Sequence, residues 1–311
     1  MSEAAAVLLE AGLEAALEGA GLRVDGMVRL EAPGTGAGPR ADVEVLAGRI
    51  AREVKAAARA GRLPIVLGDC SATVGAVAGL AQAVGPLGAA APTGAAAPAR
   101  RPGLGPGSEG DVALIWLDAH ADFNTPETSP SGYLGGMPLA VIAGRGNEWW
   151  RGAAGGGLPL PEGRITLAGV REMDPGERDA LAASAVGVHR ASAFRDPALR
   201  PAALRDVAAR VRSAGGLFFH VDVDVLDPSV FAGVTFPTPG GLAPDDLFEL
   251  ARLGRSVRTA EERASGFEPH RPVALDISAF DPPADEAEAM SQARKLVGWV
   301  ARLASLLAGP P

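Results

Sequence analysis

Asp118-Ala119-His120-Ala121-Asp122 and Asp222-Val223-Asp224 are the two stretches around which the rest of the chain is organised. Each follows an apolar run typical of a buried strand, 114–117 in the first case and 217–219 in the second. Because side chains alternate along a strand, the polar residues of each stretch can share one side if the strand geometry continues. Ligands of open α/β sheets bind beyond the carboxyl ends of parallel strands, so we expect all five side chains to converge there.

The four aspartates of these stretches predict bound cations. Carboxylates that are packed together repel one another, and they either take up protons or need a counter-charge. Two divalent cations would neutralise four aspartates. Ligation that is rich in oxygen, with one imidazole from His120, suits Mn²⁺ or Mg²⁺. We therefore predict a metal centre in preference to a structural cluster of salt bridges.

Composition argues against several other classes of protein. The 311 residues are 47% hydrophobic but only 5% aromatic, so the core must be built from Ala, Val and Leu. The net charge is −8 and there is no basic stripe, which argues against binding to nucleic acid. The single cysteine, Cys70, excludes an internal disulfide and fits a reducing cytosol. With no leader-like or membrane-length apolar run, we expect a cytoplasmic globular protein whose partner is a small molecule, not a membrane.

Strands that alternate with helices predict a mainly parallel sheet covered on both faces, the α/β class. Helices are expected at 4–20, 42–60, 72–84, 196–214, 245–253 and 285–307, and strands at 63–67, 114–117, 164–170, 217–224 and 273–275. Residues 22–30 are a further, interrupted candidate strand. Residues 85–110 are of low complexity and are expected to form a surface insertion. A strand and a site motif resume after them, so residues 1–311 are predicted to form a single domain.

Three motifs carry a family resemblance: Asp118–Pro126 (DAHADFNTP), Ser131–Pro138 (SGYLGGMP) and Asp222–Pro228 (DVDVLDP). With them the chain resembles the ureohydrolase family of arginases, agmatinases and formimidoylglutamases. The resemblance runs from about Leu63 to the C-terminus. It implies a three-layer α/β/α fold, a homo-oligomer (trimer or hexamer), and two divalent cations, Mn²⁺ in the family. A metal-bridging hydroxide would then attack a planar carbon bonded to nitrogen.

The resemblance also implies a set of metal ligands, namely Asp118, His120, Asp122, Asp222, Asp224 and Cys70. Asp118 and Asp222 fall on positions that bridge the two metals. His120 and Asp122 are also the residues that we expect to act in catalysis. Cys70 stands where the family has a histidine, and it is either a softer metal ligand or a small buried side chain.

Further positions of the family bear on the substrate. Asn124 and Ser131 match residues that hold a substrate carboxylate in arginases, and Asp174 matches one near the substrate amine. Each also has a purely structural interpretation, since Asn and Ser form turns and Asp174 precedes Pro175. His220, two residues before Asp222, is either a partner of a metal ligand or a core histidine.

Departures from the family affect the expected substrate. Gly135 replaces a proton-shuttle histidine, and Ala279 replaces a glutamate that pairs with the guanidinium group. Asp281 can face the same way as Ala279, or it can cap the next turn. We expect the sheet to lack the N-terminal strand of the family. We therefore predict a hydrolase of linear C–N bonds that acts on a modified guanidino, hydroxyguanidino or formimino compound. The alternative is a catalytically lapsed relative with a metal-binding or assembly role.

Overall fold

The computed structural model describes residues 3–32, 34, 38–84, 112–212, 214–256 and 271–309. Its strands are β1 (Ile65–Gly68), β2 (Val112–Leu117), β3 (Ile165–Val170), β4 (Gly187–Arg190), β5 (Gly216–Asp222) and β6 (Val273–Ser278). They form one parallel sheet in the order β1–β6–β5–β2–β3–β4. The predicted insertion at 85–110 lies outside the described residues.

The helices connect the strands and fill the space on either side of the sheet. They are α1 (Glu3–Glu10), α2 (Leu13–Gly19), α3 (Pro39–Arg59), α4 (Cys70–Val84), α5 (Pro138–Ile142), α6 (Glu148–Ala153), α7 (Pro175–Ala182), α8 (Ala191–Arg195), α9 (Arg200–Val211), α10 (Pro244–Ser256) and α11 (Glu286–Ala308). Among the helices of the described ranges, none has both the length and the apolar composition that crossing a membrane requires.

Two separate cores give the protein three layers. On one face of the sheet, Leu114, Trp116 and Phe218 pack against α3, α4 and α5. On the other face, Ile115 and Phe219 pack with α9, α10 and α11. Successive residues of the central strands are thus buried on opposite faces, which is why these strands are continuous apolar runs. The predicted α/β/α sandwich with a parallel sheet is confirmed.

The N-terminal part differs from the sequence prediction. A glycine in the left-handed region, Gly12 with φ 92°, divides the helix expected at 4–20 into α1 and α2. The candidate strand at 22–30 is wrong, because these residues have no regular structure. None of the described residues before Ile65 lies in a strand, in agreement with the expected lack of an N-terminal strand.

Adjacent strands bring the site residues to one edge of the sheet. Since β1, β6, β5 and β2 are neighbours, their carboxyl ends lie side by side. Cys70 begins α4 directly beyond β1, Asp118 follows β2, and Asp222 is the last residue of β5. This edge is where a parallel sheet positions ligand-binding side chains.

Candidate metal centre

The segment that follows β2 turns sharply and does not continue the strand, contrary to the alternation expected from the sequence. Asp122 has φ 49°, a left-handed conformation that is uncommon for residues other than glycine. Its carbonyl oxygen accepts hydrogen bonds from the amides of Leu139 (3.0 Å) and Ala140 (3.2 Å), which tie the turn to the start of α5. This turn, and not a pleated strand, directs Asp118, His120 and Asp122 toward the site.

The end of β5 provides the other two aspartates. Asp224 lies in the short 3₁₀ turn Val223–Val225, and its amide donates to Oδ1 of Asp222 at 2.8 Å. Arg171 holds this turn, because its guanidinium donates to the carbonyl oxygens of Asp224 (2.7 Å) and Leu226 (3.2 Å). No role for Arg171 was predicted from the sequence. The available signal was its place directly after β3, at the same edge of the sheet.

Two groups of ligand atoms in the described part of the chain are compact enough to hold a cation each. Those of Asp118, His120 and Asp224 lie within 4.8 Å of one another, and we call this group the outer position. Those of Cys70, Asp118 and His220 do so as well, and we call this group the inner position. Asp118 belongs to both groups. The two groups therefore have one carboxylate in common, and together they could hold two cations.

Asp122 and Asp222 lie next to these groups without belonging to either. Asp222 accepts a hydrogen bond from the thiol of Cys70, with 3.0 Å between Oδ2 and Sγ. Asp122 is buried, and its Oδ2 has no hydrogen-bond partner. Cys70 therefore lies beside the carboxylates, as its position in the family pattern implies. One buried oxygen of Asp122 is left without a hydrogen-bond partner.

The protonation of the cluster follows from burial and charge. Burial, followed by repulsion from neighbouring carboxylates, raises the pKa of Asp118, Asp122 and Asp222. Burial also acts to raise the pKa of Asp224, but hydrogen bonding to His120 prevails and lowers it. For His120, burial lowers the pKa, whereas hydrogen bonds to Asp118 and Asp224 outweigh burial and raise it to about 11. Nδ1 of His120 lies 2.9 Å from Oδ2 of Asp224 and 3.6 Å from Oδ1 of Asp118.

These residues fit divalent cations. Two buried side-chain atoms of the site, Oδ2 of Asp122 and Nε2 of His220, have no hydrogen-bond partner. Each such atom costs about 1–3 kcal/mol when it is left unsatisfied in a folded protein. In the described part of the chain, no lysine or arginine lies within ion-pair distance of the four carboxylates, and His120 alone pairs with two of them. Cations bound here would satisfy both unpaired atoms and neutralise the remaining charge.

The candidate substrate residues do not all lie together. Nδ2 of Asn124 donates to Oδ2 of Asp174 at 2.8 Å, so these two side chains are paired. Asp174 is also the N-cap of α7 in a capping box with Glu177. Ser131 is exposed, and its hydroxyl accepts from the amide of Tyr133 at 3.2 Å, as in an ordinary turn.

Glu177 is a buried carboxylate that the sequence analysis did not single out. It accepts hydrogen bonds from the amides of Phe123 and Asp174, both at 2.8 Å. These bonds connect the turn at Asp122 with the start of α7 and so fix the loop that carries Asn124. The signal in the sequence was the spacing of Asp174 and Glu177, which is that of a capping box.

Gly135, where the family has a histidine, and Asp281, close in sequence to Ala279, contact the side chains of Tyr133 and Thr235, respectively. The ring of Tyr133 lies against Gly135, and a Cβ atom on Gly135 would collide with it. Burial, followed by the charges of Asp69 and Cys70, raises the pKa of Tyr133, so its hydroxyl stays protonated at neutral pH. Oδ2 of Asp281 accepts from the hydroxyl of Thr235 at 3.0 Å. That contact directs the carboxylate to a neighbouring loop.

Comparisons with known proteins bear on the family and the fold of the chain. The sequence model of the arginase family matches residues 23–301. The arginase of Bacillus caldovelox is 30% identical over 195 residues, which are 62% of this chain and 57% of that arginase. The solved structure of arginase from Bacillus subtilis superposes with a TM-score of 0.72 at 24% identity, covering 98% of this chain and 91% of that chain.

A second solved structure, formimidoylglutamase from Bacillus subtilis, superposes with a TM-score of 0.63 at 18% identity over 93% of this chain and 73% of that chain. At this identity, both structural similarities establish the fold alone. The chain spans 57–60% of the length of the first three arginases that it matches in sequence.

Proposed function

Because the chain belongs to the arginase family, we propose that it is a binuclear metal hydrolase that cleaves linear C–N bonds of guanidino or related amidine compounds. The observation that carries this proposal is the pair of ligand groups that share Asp118 at the carboxyl edge of the sheet. A structural cluster of carboxylates would be expected to pair with arginines, whereas here two buried ligand atoms have no partner.

The proposal assigns each ligand a place. Asp118 and Asp222 would serve both cations, Asp122 and Cys70 would hold the inner one, and His120 and Asp224 would hold the outer one. A pair of divalent cations, which we propose to include Mn²⁺, supplies a hydroxide nucleophile at neutral pH by lowering the pKa of water. Two residues outside the ligand set hold the ligands in place, because Arg171 fixes the turn of Asp224 and Glu177 fixes the loop beyond Asp122.

The substrate proposed for this site is a modified guanidino, hydroxyguanidino or formimino compound in preference to plain arginine. Ala279 offers no carboxylate to a guanidinium group, and the carboxylate of Asp281 is engaged by Thr235. Gly135 has no proton-transferring side chain, and the ring of Tyr133 lies against it. Proton delivery to the leaving nitrogen therefore comes from water or from a ligand carboxylate.

The experiment that tests this function is a screen of guanidino, hydroxyguanidino and formimino compounds with protein that has been treated with chelator and then reloaded with Mn²⁺. Release of urea, hydroxyurea or formamide, together with two ions bound per chain, would support the hydrolase. Ions bound without turnover of any compound would support the lapsed relative with a metal-binding or assembly role.

An oligomeric state and a cellular location are also part of the proposal. Assembly as a homo-oligomer, a trimer or a hexamer, follows from the family resemblance and can be measured by light scattering. A cytosolic location is proposed because the single cysteine cannot form an internal disulfide, which fits a reducing compartment.

A further inference from the structure

His220 is a fully buried histidine in the middle of the sheet, and the proposed mechanism does not use it. It lies on β5 between Trp116 of β2 and Asp276 of β6, in one row across the three strands. Its ring stacks on the ring of Trp116 with centroids 3.7 Å apart. Neighbours on both sides therefore hold the imidazole in a single orientation.

The carboxylate of Asp276 determines which ring nitrogen of His220 is free. Oδ2 of Asp276 lies 2.7 Å from Nδ1 of His220, and it also accepts from the hydroxyls of Thr73 and Ser278. A carboxylate with these donors accepts the Nδ1–H, and this tautomer leaves a bare lone pair on Nε2. Nε2 is buried and has no hydrogen-bond partner.

A carboxylate that accepts from one ring nitrogen while the other is free is the arrangement that metal-ligating histidines show in proteins. A ring nitrogen of His220 belongs to the inner position, where its ligand atom and those of Cys70 and Asp118 lie within 4.8 Å of one another, and Nε2 is the nitrogen that Asp276 leaves free. Building on the proposed metal centre, we infer that His220 is a direct ligand of the inner cation, with Asp276 as the residue that orients it.

This ligand set changes which ion the inner position prefers. With His220 added, the proposed inner ligands are the thiolate of Cys70, one imidazole and carboxylates, and sulfur and imidazole are the ligands that Zn²⁺ takes most often. The outer position, with carboxylates and one imidazole and no sulfur ligand, suits Mn²⁺. The inner position therefore selects zinc from a mixture of zinc and manganese, and the two positions hold different metals.

The test loads chelator-treated protein with one equivalent each of Zn²⁺ and Mn²⁺ and measures both metals by mass spectrometry after desalting. The wild-type protein is expected to retain one zinc and one manganese per chain. His220→Gln is expected to lose the zinc and keep the manganese. Asp276→Asn, which withdraws the orienting carboxylate, is expected to bind zinc roughly 10–100-fold more weakly. His189→Gln is the matched control, since this histidine pairs with Asp206 at the edge of the sheet.

Zinc that stays bound to His220→Gln with unchanged affinity would overturn the inference and leave the proposed function intact. A wild-type protein that binds neither metal would defeat the proposed function and the inference together. If His220→Gln does not fold, X-ray absorption at the zinc edge of the wild-type protein tests whether an imidazole binds the zinc. One sulfur and one imidazole nitrogen around zinc support the assignment, and a shell without imidazole contradicts it.

Discussion

Asp224 is the residue whose removal tests the outer position most directly. Its carboxylate lies 2.9 Å from the imidazole of His120 and belongs to a different turn from the other outer ligands. We expect Asp224→Ala to bind one ion per chain in place of two. Loss of a residue that only orients a metal ligand typically lowers activity roughly 10–100-fold, and we expect the loss of Asp224, a proposed ligand itself, to lower activity further. Metal analysis after reloading measures the first effect and substrate turnover the second.

The control for that substitution is Asp206→Ala, which removes an aspartate of α9 that pairs with Arg210 and His189 away from the site. It should retain both ions. Equal metal content in wild-type protein and Asp224→Ala would show that the outer position is wrongly assigned.

Cys70 offers a second test at the scale of one side chain. Burial, followed by the charge of Asp222, raises the pKa of its thiol, and a neutral thiol is a poor ligand for a hard ion such as Mn²⁺. Cys70→His is therefore expected to raise the affinity for manganese by roughly 10-fold or more, the scale of changes in ligand environment.

Calorimetric titration with Mn²⁺ measures this affinity, and Cys70→Ser serves as the control that removes the thiol without supplying an imidazole. Manganese affinity that is the same in Cys70→His and in the wild-type protein would mean that side chain 70 does not reach the cation.

For individual residues, the sequence predicted which side chains lie close together, but not the backbone conformation and the hydrogen bonds that orient them. The two aspartate stretches could be expected at one edge of the sheet, because each directly follows a strand. The left-handed turn at Asp122 could not, since no glycine marks it. The free nitrogen of His220 depends on Asp276, which lies 56 residues away in sequence, and only the register of β5 and β6 brings them together.

The contact between α3 and α4 is the element that positions the inner ligands, because α4 begins at Cys70. The two helices approach closely at glycines of α4, where a Cβ atom on Gly79 would lie 2.5 Å from the carbonyl oxygen of Ala51. Gly79→Ala is therefore expected to push the helices apart and to destabilise the fold by about 1–3 kcal/mol. Urea unfolding measures this cost.

Gly298→Ala is the matched control, because Gly298 lies within α11 and a Cβ atom there would meet nothing within 4 Å. This substitution should stabilise the protein by about 0.5–1 kcal/mol through helix propensity alone. If both variants gained stability, close packing of α3 on α4 would not be limiting.

Elements were predicted most accurately where the apolar residues formed a clear run. The central strands β2 and β5 contain such runs, which are typical of strands buried on both faces. The edge strand β4, Gly187–Arg190, has a mixed pattern of burial and was missed. Helix α9 begins at Arg200, later than expected, with Pro201 in its first turn, where a proline fits without loss of a hydrogen bond.

At the scale of the whole molecule, stability and metal binding are linked through protons. Burial and neighbouring carboxylates raise the pKa of Asp118, Asp122 and Asp222 above 3.8, and the hydrogen bonds of His120 raise its pKa from 6.5 to about 11. Groups with a raised pKa contribute stability that is fully present below the unfolded pKa and is lost as pH rises through the folded pKa. Protein treated with chelator should therefore become less stable as pH rises through the neutral range.

Bound cations reverse this trend, because they replace the protons that the ligands release, and metal affinity rises with pH for the same reason. The increase in melting temperature caused by Mn²⁺ is thus expected to grow from about pH 6 to about pH 9. Thermal scans with chelator and with Mn²⁺ across this range measure it. His120→Ala should weaken the dependence, since it removes the imidazole whose pKa is 6.5 in the unfolded chain and about 11 in the folded protein. An increase that stays constant or shrinks with pH would show that these groups do not exchange their protons for cations.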